Sequence, residues 1–288
     1  MSEMDSLPHA PADASVHDAE GLRQRVGLRE PRSRRSSDAT KVTQPRVAAR
    51  IPLATYRVQL HRGFTFRDAA ALVPYLSMLG VTHLYCSPYL RARPGSTHGY
   101  DVVDHSQLNP EIGSVEDFEL LDATLKAHGM SQILDLVPNH MGVMGADNRW
   151  WLDVLENGRS SVYAEFFDID WEPPDPTRRN KLLVPVLGGH YGQVLESGEL
   201  KLAFDANTGS FGFYYHEHCF PLDPRDYPLV LERALRLLDA ALDHSALLDF
   251  ESLITAFGHL PPREEPDPAR IQERSRDKEL HKQRLARL

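Results

Sequence analysis

Cysteine is almost missing from this chain. Cys86 and Cys219 are the only two in 288 residues, far apart and without ligand spacing. That argues against a disulfide framework and fits a reduced, cytoplasmic setting. No apolar run reaches the length of a membrane span. The acidic, polar N-terminus carries no h-region of a secretory signal. Excess positive charge is also missing: the formal net charge is -9, which argues against non-specific nucleic-acid binding. What remains is an ordinary composition, 41% hydrophobic and 25% charged, with enough apolar material for a sizeable core.

Residues 1–50 are rich in Arg, Ser, Pro, Asp and Ala without apolar period, and read as a disordered extension. Order is expected from about Leu53. Ala54 to Leu60, Thr82 to Ser87 and Ser131 to Val137 read as strands. Between them lie two amphipathic helices. The first is opened by Thr65-x-x-Asp68 and closed at Gly80; the second is opened by Ser114 and Asp117 and closed at Gly129. Strand, helix, strand, helix, strand is a parallel α/β unit. Its third strand would present a long apolar edge. Residues 141–225 change rhythm. Gly188-Gly189, Ser197-Gly198 and Thr208-Gly209 punctuate short runs that read as hairpins. Pro228 to Leu248 reads as one amphipathic helix and 251–259 as a short one. Ala269 to Leu288, charged with sparse apolar positions, reads as a helix whose neighbours lie outside this chain.

Polar clusters follow the three strands: Gln59 and His61; Ser87-Pro-Tyr89 with His98-Gly-Tyr-Asp101 and Asp104; and Asp135, Asn139 and His140. Parallel neighbouring strands would bring them to one rim, the expected build of a ligand site. Each residue alone has a plainer reading. Asp135, inside an apolar strand, needs a partner and reads as an anchor rather than an acid. His140 alone would be a satisfied loop histidine, Tyr100 alone packing. Trp150 and Trp151 read equally as core or as a sugar-stacking platform.

Six stretches carry a family resemblance: Ala54-Thr-Tyr-Arg-Val-Gln-Leu-His61, Thr82-His-Leu-Tyr-Cys-Ser-Pro-Tyr89, Pro94-Gly-Ser-Thr-His-Gly-Tyr-Asp101, Asp135-Leu-Val-Pro-Asn-His-Met141, Trp150-Trp-Leu-Asp-Val-Leu-Glu-Asn157 and Phe166-Phe-Asp-Ile-Asp-Trp171. With them the region 53–288 resembles the N-terminal part of the maltooligosyltrehalose synthases of the α-amylase superfamily (glycoside hydrolase family 13). The resemblance implies a partial (β/α)8 TIM-type barrel. Its first three β/α units would occupy 51–140, an inserted mixed subdomain 141–225, and C-terminal helices 226–288. It implies a (1→4)-α-D-glucan 1-α-D-glucosylmutase acting on maltooligosaccharides in trehalose biosynthesis, through a covalent glycosyl intermediate shielded from water. Carried over residue by residue, His140 would bind the sugar of the reacting subsite and Tyr100 would stack on it. His98, Asp101 and Trp150 complete the expected substrate-binding set, Asp101 also ordering the rim, while Asp135, Asn139 and Gln59 would support the site. No cofactor or metal is implied, and neither nucleic acid nor membrane is a partner. The family nucleophile lies in an Arg-x-Asp element, and none occurs in the 288 residues. No catalytic residue is therefore assigned, and the chain is expected to be inactive by itself, with a complementary C-terminal segment as a conceivable partner. Two other readings stay open: another family 13 hydrolase or transferase, and a glucan-binding protein that keeps half a sugar site.

Overall fold

The computed structural model describes residues 51–238 and 244–288; the extension expected over 1–50 lies outside them. Three parallel strands, β1 (Thr55–Val58), β2 (His83–Cys86) and β5 (Ser131–Ile133), form a sheet in the order β1-β2-β5. Arg57 lies opposite Tyr85, and Tyr85 opposite Ile133. Helix α1 (Phe66–Met78) links β1 to β2, and α2 (Val115–Ala127) precedes β5. Both begin where Ser/Thr-x-x-Asp spacing places them. The Asp68 carboxylate accepts from the Thr65 backbone N–H at 2.7 Å. Ser114 and Asp117 exchange bonds at 3.0 and 3.2 Å, occupying donors a helix start leaves free.

Period-two alternation sorts the strand residues. Val58, Leu60, Leu84 and Cys86 turn toward α1 and α2 and pack with Phe66, Val73, Leu76, Leu121 and Leu125. Phe66, Tyr89 and Phe118 meet edge to face at 5.1 to 5.8 Å. The alternate positions, Arg57, Gln59, Tyr85 and Asp135, share the other face. Parallel sheets are ordinarily covered on both faces. Here Arg57 and Gln59 are exposed, and Tyr85 and Asp135 are half-buried.

Several expectations need correction. The third strand ends at Ile133 rather than Val137. Past it the Asp135 carboxylate is held by two tyrosines, and His105 Nε2–H donates to the Val137 carbonyl at 3.1 Å. The regular strand is therefore three residues long, and Leu134 and Leu136 beyond it are exposed. The segment after Tyr89 holds an unforeseen antiparallel pair, β3 (Leu90–Ala92) and β4 (Val102–Leu108), with register shifts around Arg91.

Beyond β5 come α3 (Arg149–Asn157) and the short helix α4 (Tyr191–Glu196), then an antiparallel sheet of β6 (Lys201–Asp205), β7 (Ser210–Tyr215) and β8 (His218–Pro221). The hairpins thus turn at Thr208-Gly209 and at His216-Glu217. Gly188-Gly189 instead leads into α4. The single helix expected over 228–248 is two, α5 (Tyr227–Leu238) and α6 (His244–Gly258), and α6 absorbs the separate one expected at 251–259. Helix α7 (Pro268–Leu285) completes the described chain.

Helix α7 also corrects the sequence reading. Its neighbours are inside this chain, and its buried face is cationic. Arg274, Lys278 and Lys282, at i, i+4 and i+8, are all buried. Arg274 donates to Asn157 Oδ1 at 3.1 Å, to Asp223 Oδ1 at 2.7 Å and to the Pro261 carbonyl. Lys278 reaches Asp153 and Glu156, each at 2.6 Å, and Lys282 also bonds Glu156. Burial alone would push the Glu156 carboxyl up, but Lys278 and Lys282 outweigh it and hold it below the usual range. Burial would likewise lower Lys278, and Glu156 with Asp153 raise it instead. Beside this ladder Tyr227, Leu231, Phe250, Leu253, Phe257, Leu260 and Leu285 form a second apolar core.

Candidate functional site

The uncovered sheet face carries one connected polar cluster at the C-terminal strand ends. Tyr100 lies in the loop between β3 and β4, and its hydroxyl donates to Asp135 Oδ2 at 2.5 Å. Tyr85 on β2 donates to the same oxygen at 2.8 Å. Arg57 on β1 donates to the Tyr100 hydroxyl at 3.3 Å and to Gln59 Oε1 at 3.0 Å. Its guanidinium stands 5.7 Å from the Tyr85 ring centroid. Gln59 completes the brace by donating to the Thr97 carbonyl at 2.8 Å, tying the sheet to the loop. The Asp135 bond is the first cause raising the Tyr85 phenol, and the Tyr100 bond the first raising Arg57, so both stay protonated at neutral pH.

The loop is ordered from within. Asp101 Oδ1 accepts from Ser96 Oγ at 2.5 Å, and His98 Nδ1 lies 3.8 Å from it. His98 Nδ1 also accepts from the Tyr100 N–H at 3.0 Å, and the two rings stack at 6.1 Å. Gly99 has φ +78°, and a Cβ there would meet the Pro88 carbonyl oxygen at 3.0 Å, which is why glycine precedes Tyr100.

Of the residues singled out by sequence, the structure joins Tyr100 to Asp135 directly and Gln59 to them through Arg57, with His98 and Asp101 holding the loop. Asn139 and His140 follow Asp135 at the same end of the sheet and are exposed; neither bonds to the cluster. Trp150 lies elsewhere. It stacks on Tyr163 at 5.3 Å and 7°, with Phe166 at 5.0 Å and His105 at 6.5 Å. Arg57 and Tyr85 are members the sequence reading missed, although Arg57 sits two positions before Gln59 and so on the same strand face. Among the described residues no three His, Cys, Asp or Glu side chains gather to hold a metal, and no helix is long and apolar enough to cross a membrane.

A strand-end polar cluster over a helix-backed parallel sheet is the arrangement of barrel enzymes, and the comparisons agree. Residues 69–211 match the family Alpha-amylase, described as "Alpha amylase, catalytic domain". Over these residues the chain is similar to that family. Within it the resemblance narrows to the maltooligosyltrehalose synthases. The chain is 45% identical over 171 residues to a putative maltooligosyl trehalose synthase of Mycobacterium tuberculosis, covering 54% of this chain and 22% of that protein. The solved maltooligosyltrehalose synthase of Arthrobacter ramosus is 43% identical with a TM-score of 0.53, covering 60% of this chain and 21% of its own. A hypothetical maltooligosyl trehalose synthase of Sulfolobus tokodaii is 35% identical with a TM-score of 0.51, covering 65% and 24%. The chain thus spans about a fifth to a quarter of the length of these relatives.

Proposed function

We propose that the described chain is one wall of a maltooligosaccharide site in a (1→4)-α-D-glucan 1-α-D-glucosylmutase of the maltooligosyltrehalose synthase kind. Its parallel strands are the first of a (β/α)8 barrel, residues 141–225 an inserted subdomain, and 226–288 helices that brace it. The observation that carries this is the Arg57–Tyr100–Asp135–Tyr85 cluster, built from β1, β2, the segment just past β5 and the loop between β3 and β4. In this reading the Tyr100 ring presents a flat apolar face to a glucose unit, since its hydroxyl is already engaged, and His140 offers a ring nitrogen to a sugar hydroxyl. Asp135, Gln59 and Arg57 position Tyr100; Asp101, His98 and Asn139 order the rim.

Turning a terminal α-1,4 bond into an α,α-1,1 bond needs a carboxylate nucleophile and an acid placed across the scissile bond. No Arg-x-Asp element is present to supply that nucleophile, so this chain binds glucan and does not turn it over, and a segment bearing the carboxylates would be its functional partner. The test is incubation with maltopentaose and assay for trehalose-ended and hydrolysed products. No product above buffer is expected, because losing a nucleophile of this kind costs on the order of a million-fold. Turnover comparable to that of the synthases would overturn the assignment.

A further inference from the structure

A cleft separate from the Tyr100 cluster opens between the β3–β4 pair and the start of α3. Its walls are Arg91, Asp104, Gln107, Asp147, Arg149 and the stacked Trp150–Tyr163 pair. We propose that this cleft is a second binding site for a neutral α-1,4-glucan chain, resting on the glucan reading above but not on the Tyr100 cluster.

Charge balance comes first. Two guanidinium groups and two carboxylates line one small cleft, so their fields largely cancel. A net anion or cation would gain at one end and lose at the other. A neutral polyol suits alternating donors and acceptors, because each hydroxyl both donates and accepts. Arg91 and Asp104 are cross-strand partners. Asp104 Oδ1 takes both bonds from Ser106, at 2.8 Å from N–H and 2.6 Å from Oγ, which leaves Oδ2 available. Burial would raise the Asp104 carboxyl, but Ser106 with Arg91 and Arg149 holds it below its usual range, an acceptor at neutral pH. Asp147 is turned by Arg93 at 3.7 Å.

An apolar wall comes second. Tyr163 covers Trp150 nearly in parallel, and Phe166 closes beside them. Trp150 and Tyr163 together therefore form a fixed apolar wall along one side of the cleft, against which the C–H groups of a pyranose can lie. Exposure comes third: Ser106, Gln107 and Arg149 are exposed, so ligand contacts here need no core rearrangement.

The test is a ¹H–¹⁵N titration of the full chain with maltotetraose. The probes are the Gln107 side-chain amide and the Trp150 indole N–H, assigned through Gln107→Ala and Trp150→Phe. Saturable shifts at both probes are expected, retained in Tyr100→Ala, with apparent affinity at the indole falling about tenfold in Arg149→Ala and in Gln107→Ala. Either of these two surface variants decides if the other does not fold. Shifts confined to the loop around Tyr100 would leave the glucan reading intact and overturn the second site. No shift anywhere would overturn both. Inorganic phosphate moving the same probes at lower concentration than the glucan would make the cleft an anion site and overturn the proposal.

Discussion

Around the parallel sheet the side chains taken from water are mostly apolar, whereas along α7 they are Arg274, Lys278 and Lys282. The sheet region buries one face and leaves its polar residues at the other, half in water. The α3–α7 region puts its charges inside and satisfies each against an acid, an amide or a carbonyl. Removing a charge costs much where both partners are dry and little where water can substitute. The polar groups on the sheet face therefore remain free to respond to a ligand, while those between α3 and α7 hold two distant segments in register.

The sharpest way to break this contrast is Glu156→Leu. It leaves Lys282 without its short partner and Lys278 with Asp153 and the exposed Glu279. The expected loss is about 3–5 kcal/mol, read as the urea midpoint. Leu76→Ala in the sheet core should cost about 2–5 kcal/mol through a cavity. An effect of Glu156→Leu below 1 kcal/mol would mean that water already reaches the ladder. Combining Glu156→Leu with Lys278→Met and Lys282→Met should recover most of the loss, to within roughly 1 kcal/mol, since matched apolar replacements remove both charge and desolvation.

These ion pairs also show where sequence reading stops. The i, i+4, i+8 spacing of the α7 cations is visible in the sequence and ordinarily marks a solvated face. The partners of Lys278 and Lys282 lie more than 120 residues away on α3, a separation no periodicity reports. The strands and helices of the sheet region were legible because alternation, the Ser/Thr-x-x-Asp starts and the closing glycines all act locally. The β3–β4 pair was not, since its register shifts around Arg91 blur the alternation that marks a hairpin. Within the site, Tyr100, Asp135 and Gln59 were legible as a converging set. The bridging roles of Arg57 and Tyr85 depend on strand register, and the covered face of Trp150 depends on Tyr163, thirteen positions away.

Acid should strike the α3–α7 region first. The Glu156 carboxyl is held below its usual range in the folded chain, so its contribution is present above the unfolded value, about 4.3. That contribution is lost as pH falls through the lower folded value. Lys278 is raised, so its contribution is full below about 10.4 and goes only in strong alkali. Stability should thus be flat through neutrality with respect to this pair and fall below about pH 4. The fall should be shallower in the triple apolar variant, as measured by denaturant midpoint against pH.

The smallest stability effects belong to the open face. Tyr85→Phe and Tyr100→Phe each remove one bond to Asp135 and should cost about 0.5–1.5 kcal/mol, by the same unfolding measurement. Calorimetric titration of maltopentaose into the intact chain and into Tyr100→Ala, with the unfolding midpoint of each measured alongside, tests the central claim most directly. Two classes of binding are expected in the intact chain, that at the Tyr100 cluster being of roughly millimolar strength, about 4 kcal/mol; Tyr100→Ala should lose this class and keep only the binding in the Trp150 cleft while the chain stays folded, and the same affinity and stoichiometry in the two proteins would contradict the claim.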